Sequence, residues 1–88
     1  MVDYRSLPPG MVGGAQRYIE HGIKPGDFLC RVFSNDLVGA YSRADNINTA
    51  AMRTWAAFLY NEAPRGCWGS EEAMADWIKA GGLNKIEG

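Results

Sequence analysis

The chain has 88 residues, 47% of them hydrophobic and 22% charged, the balance of one ordinary globular domain and not of a disordered tail. Nine Lys and Arg against ten Asp and Glu leave a net charge of −1, which excludes a strongly basic nucleic-acid footprint and leads us to expect no DNA partner. No apolar run approaches the ~20 residues of a membrane helix, and no basic stretch leads into an apolar one. No membrane partner and no signal peptide are therefore expected, and a reducing, cytoplasmic setting is the default.

Residues 1–10 read as an extended N-terminal arm. Pro8-Pro9-Gly10 favours polyproline geometry and then a turn. Tyr4 and Leu7 would anchor the arm, on its own domain or on a second copy. A first helix is predicted from Met11 to His21, because Val12, Ala15, Tyr18 and Ile19 recur on one face. Gly22 suits the position after its end, and Pro25 blocks continuation.

A second helix starts near Pro25-Gly26-Asp27, where Asp27 complements the positive end of the helix dipole. Leu29, Phe33, Leu37, Ala40 and Ala44 keep one helical phase, with Phe28, Val32 and Tyr41 widening the stripe. That argues for a single helix to Ala44. The run Ser34-Asn35-Asp36 argues for a break, with Asn35 or Asp36 capping the second half. The two alternatives carry similar weight.

A third helix is predicted from a cap at Asp45 or Asn46 to Asn61. Ile47, Ala51, Met52, Trp55, Phe58 and Leu59 give it a broad apolar face, which makes it the expected central helix. Residues 62–69 form a loop. A fourth helix follows, with Ser70 as N-cap, Glu71 and Glu72 in the first turn, Lys79 in the last and Gly81 as terminator. Residues 82–88 read as a polar C-terminal tail. With no strand alternation and no repeat, the expected fold class is all-α: a compact bundle of four to five short helices forming a single domain over 11–81.

Several stretches carry a resemblance. Residues Arg17 to Leu29, Ser34-Asn35-Asp36-Leu37, Arg43-Ala44-Asp45, Phe58 to Pro64 and Cys67-Trp68-Gly69-Ser70 together resemble a group of short uncharacterised proteins encoded by bacteriophages and prophages. The resemblance spans roughly residues 12 to 80. It brings no catalytic or ligand residues that could be carried over. It implies a phage setting and a non-enzymatic accessory protein that acts by stoichiometric binding, commonly against host defence.

Five constellations bear on function. Arg17 and His21 lie one turn apart on the polar face of the first helix. With Asn35, Asp36 and Arg43 they form a polar set; if that helix and the second form a hairpin, Arg17 and Asn35 or Asp36 approach each other, and Arg and Asn are groups able to grip a phosphate or a base edge. The plainer reading is a solvated surface with an ion pair and a cap. Arg65 and Trp68, on a glycine-flanked loop beside Tyr60, could be a hot spot for a partner or a stacking platform for a nucleobase. Alternatively, Trp68 is a lid on the core with its indole N–H on a backbone carbonyl.

The other three are weaker. His21 and Cys30 flank one turn, but a cysteine nucleophile needs a lowered pKa and an oriented base, and no third residue can be picked out. Glu71 and Glu72 suit the helix dipole better than acid–base work. A helix-turn-helix lacks a basic recognition helix. With a lone histidine, and two cysteines too far apart for a metal pair, no metal and no cofactor are expected, and both thiols read as free.

The expected function is therefore sequestration of a nucleotide-type immune signal or inhibition of a host defence protein, without catalysis. Arg17, His21, Asn35, Arg43, Arg65 and Trp68 are the candidate contacts. The alternative is a protein-interaction or structural phage module with no small ligand. An aromatic-rich chain with near-zero charge is also expected to form a homo-oligomer.

Overall fold

The computed structural model describes residues 2–87. Helix α1 (Pro9–His21) starts where its prolines permit: Pro9 lies in the first turn, where a missing N–H costs nothing. It therefore begins ahead of the expected Met11. It ends at Gly22, whose φ of 69° closes the helix, its amide donating to the Tyr18 carbonyl at 2.9 Å.

Residues 2–8 do not form the extended arm expected for this segment. The Leu7 amide donates to the Tyr4 carbonyl at 3.1 Å and closes a turn. Leu7 is buried at 3% exposure, and the Tyr4 ring lies 5.8 Å from that of Phe58. The Asp3 amide donates to Glu62 Oε1 at 3.1 Å. Two apolar anchors and a turn hold the segment on its own domain.

The expected second helix is broken into α2 (Asp27–Phe33) and α3 (Leu37–Arg43). Asn35 takes a left-handed φ of 64°, a conformation Asn tolerates. Asp36 then caps α3, its Oδ1 accepting from the Gly39 amide at 2.9 Å. The expected third helix is divided as well, into α4 (Asn46–Ala50) and α5 (Met52–Asn61), with Ala51 between them at φ −95° and ψ 7°. Asp45 caps α4 through Asn48 at 2.8 Å. Helix α6 (Glu71–Ala80) has the expected frame: Ser70 Oγ accepts from Ala73 at 3.0 Å, and Gly81 closes the end at φ 87°. The segment read as a tail forms α7 (Gly82–Glu87), packed on α1. There are thus seven α-helices among the described residues, not four or five, because the Asp36 cap splits one long segment, a backbone break at Ala51 splits another, and the tail supplies one more.

The all-α class holds, with no strand among the described residues. Tyr18, Ile19, Phe33, Trp55, Phe58 and Cys67 form the innermost core. Its polar atoms are paired, as burial requires. Trp77 Nε1 donates to the Tyr18 and Ile19 carbonyls at 3.2 and 3.1 Å, and Trp55 Nε1 to Asn48 Oδ1 at 3.2 Å. The Tyr18 hydroxyl donates to the Cys67 carbonyl at 2.6 Å and pins the short 3-10 turn Arg65–Cys67. The chain therefore has a fixed centre, and its unusual features lie on the surface.

Candidate functional site

The broken second helix determines the surface. Had it run straight, Leu37 would share the buried face of Leu29 and Phe33. The turn at Asn35 redirects α3, so Ala40 stays buried while Leu37, Val38 and Tyr41 face solvent. Val38 is 81% exposed. Across from Leu37, on α5, Tyr60 is 83% exposed. Between them runs a groove of about 260 Å³. Met52, Trp55 and Leu59 form its floor, and Leu37, Ala56, Tyr60 and Trp68 its sides. Its polar wall is Arg31, Asn35 and Asp36.

That polar wall is internally neutralised. Arg31 Nη1 meets Asp36 Oδ2 at 3.0 Å. The Gly39 amide, and then the Arg31 guanidinium, hold the Asp36 carboxyl below the usual carboxylate range. Gly39 leaves the room for this latch, since a Cβ there would stand 2.9 Å from Arg31 Cδ and collide with the Asp36 carboxylate.

A second groove, of about 550 Å³, lies on the other side of α2, against α6. The two helices run antiparallel. The Gly69 amide, ahead of α6, donates to the Phe33 carbonyl at the end of α2 at 2.8 Å. At the opposite end the backbones of Gly22 and Gly81 meet. Asp27, Cys30, Arg31 and Ser34 form one wall, and Glu71, Met74, Ala75, Ile78 and Lys79 the other. Lys24 closes the end near Lys79. Arg31 borders both grooves.

The structure does not gather the polar set around Arg17. The Arg17 guanidinium lies back over its own helix, against Gly13 and Gly14. His21 Nδ1 is 3.2 Å from Asn84 Nδ2 on α7. Arg43 Nε is 4.0 Å from the Asp27 carboxylate, and Arg65 is exposed on the 3-10 turn. None of these four lines either groove. Asn35 and Trp68 do come together, in the first groove. Trp68 is half-buried there, and its indole makes no hydrogen bond to a backbone carbonyl among the described residues. It packs against the core and forms a wall of the groove, without the indole-to-carbonyl bond of the lid reading. Sequence reading missed Arg31 and Leu37 as groove residues, and the exposure of Val38 and Tyr41 beside them; the signal was the Ser34-Asn35-Asp36 run, which decides where α3 points.

The thiols do not form a nucleophilic pair with His21. Cys30 Sγ donates to the Pro25 carbonyl at 3.3 Å, and burial pushes its pKa up. Burial pushes the Cys67 thiol up to about 12. Both cysteines are free. Among the described residues no three His, Cys, Asp or Glu are grouped to hold a metal ion, and no helix is long and apolar enough to cross a membrane. Protein-family models give no match to this chain, and neither the curated proteins nor the solved structures contain one that is significantly similar.

Proposed function

We propose that this chain is a non-enzymatic binding module that captures a protein partner stoichiometrically through the α3–α5 face, and that it serves a bacteriophage inside its host by blocking a defence protein. The phage setting rests on the resemblance of the sequence. The binding mode rests on one observation: Leu37 and Tyr60 stand exposed on an apolar groove, with Val38 and Tyr41 exposed beside it on α3, and the charges lining it among the described residues, Arg31 and Asp36, cancel. Large exposed apolar groups beside a concavity mark interaction sites. Ala56 and Tyr60 are one helical turn apart and form a ridge along one side, with Leu37 facing them from α3. The occupant that fits is an amphipathic helix of the partner, laying one large apolar side chain into the groove.

A nucleotide-type ligand fits this groove less well. Four of the basic and polar groups expected to hold it lie elsewhere, and Arg31 is already paired. The volume is also below the ~300–1,000 Å³ of ordinary ligand pockets.

The test compares the tagged wild type with a Val38→Glu/Tyr60→Glu double variant, expressed in host cells and purified with whatever binds. The expected result is one host protein at near one-to-one stoichiometry with the wild type. Reconstituted from pure components, it should bind the variant more than ~10-fold more weakly. Equal capture by both forms would overturn the reading. A wild type that is dimeric by light scattering while the variant is monomeric would also overturn it, because a second copy would then occupy the face.

A further inference from the structure

We infer that the α2–α6 groove is a binding site for a small amphipathic anion, its acidic head held by Lys24 and Lys79 and its apolar body lying on Met74, Ala75 and Ile78. This site is separate from the protein-binding face and does not depend on it. The argument starts from why the groove is open. Residues 71, 74, 75, 78 and 79 lie on one face of α6, and residues 27, 30, 31 and 34 on one face of α2. In a packed pair of helices such faces interdigitate. Here both are lined by charged or small groups at the rim, and about 550 Å³ stays unfilled, within the range of small-molecule sites.

The charges are unevenly spent. Arg31 is paired with Asp36 at 3.0 Å, and Asp27 faces Arg43 at 4.0 Å. Among the described residues Lys24 and Lys79 have no carboxylate within 4.0 Å. The close approach of Gly22 to Gly81 brings the two lysines to the same end of the groove. Asp27 opens α2 at that same end, so the two lysines leave it with one positive charge in excess, while Glu71 marks the other end. The ends are eight helical residues apart, ~12 Å at 1.5 Å per residue. Cys30, kept as a neutral thiol, adds to the apolar wall. A sulfonate, carboxylate or phosphate on an aromatic or aliphatic body of that length fits both the charge and the lining.

The probe is 8-anilinonaphthalene-1-sulfonate, an apolar body with one acidic head, titrated into the full chain and followed by amide chemical shifts. Saturable one-to-one binding is expected, with the largest shifts at Lys24, Cys30, Met74 and Ile78. Lys24→Gln/Lys79→Gln, on exposed side chains that leave the fold intact, should weaken it about 10-fold. Ala75→Trp, which fills the groove from an exposed position on its wall, should abolish it. Tyr60→Ser, in the other groove, should leave it unchanged. Shifts confined to α3 and α5, undiminished affinity in the lysine variant, or no saturation by about 1 mM would each overturn the assignment.

Discussion

Asn48 is a polar residue at 5% exposure, and its side chain serves two partners. It donates to Asp45 Oδ1 at 3.1 Å and accepts from Trp55 Nε1 at 3.2 Å. Asn48→Ala would strand the Trp55 indole N–H in the core, at a cost of ~1–3 kcal/mol, since an unmade buried hydrogen bond forfeits the desolvation already incurred. Urea unfolding should show the loss as a lower midpoint with an unchanged slope. The caps at Asp45 and Ser70 were legible in the sequence because capping is a local rule. The Asn48–Trp55 bond was not: seven residues on a straight helix span ~10.5 Å, and only the break at Ala51 brings α4 back toward the indole. Asp36 yields a pH prediction at the same scale. Its folded pKa lies below the ordinary value of 3.8, so the carboxylate stabilises the fold at pH above 3.8. That contribution falls away as the pH drops through 3.8 toward the folded value. Thermal midpoints of wild type and Asp36→Asn should therefore differ at neutral pH and converge at acid pH; a gap that does not narrow would show that the carboxylate is not latched. Exposure keeps the effect small.

At the scale of elements, the end of α1 meets the turn between α6 and α7 through three glycines. Gly22 has φ 69°, and a Cβ on it would stand 2.9 Å from the backbone of Gly81 and Gly82. A Cβ on Gly82 would come within 2.6 Å of the Gly22 and His21 nitrogens. Gly22→Ala therefore adds backbone collision to left-handed strain and should cost ~2–3 kcal/mol, roughly 10–20 °C in thermal midpoint for a domain of this size. Gly10 provides the contrast. It lies in the first turn of α1 with open space around its Cα, so Gly10→Ala should gain ~0.5 kcal/mol. If both substitutions cost alike, the close crossing is absent. The glycine at the end of α1 was legible as a terminator, and Gly81 likewise. Their meeting was not, because nothing local links positions so far apart in the chain. Nor was α7 legible: a short polar segment has little helical preference of its own, and it is α1 that stabilises it.

Across the whole molecule, the ten aromatics divide between core and surface, and that division explains how much of the site could be read from the sequence. Periodicity correctly places Tyr18, Phe28, Phe33, Trp55 and Phe58 inside. It misplaces Tyr41 and Leu37, because a phase counted along the sequence does not survive a left-handed residue at Asn35. The first groove follows from that break, and Arg31 stands between it and the second. It borders the apolar groove, borders the α2–α6 groove, and ties Asp36 to the start of α3. An arginine in that position has a part in each groove: it ties down the cap of α3 beside one and adds a cation to the wall of the other. Arg31→Met keeps the apolar stem and removes the charge, so the fold should persist. The expected signature is joint: partner capture and binding of the anilinonaphthalene sulfonate both weaken, each by a few-fold. Lys24→Gln/Lys79→Gln should lower only the second, and Val38→Glu/Tyr60→Glu only the first. Calorimetric titration of both ligands into all three variants measures this directly. If Arg31→Met leaves either affinity at the wild-type value, the two grooves act independently and Arg31 is no more than the anchor of α3.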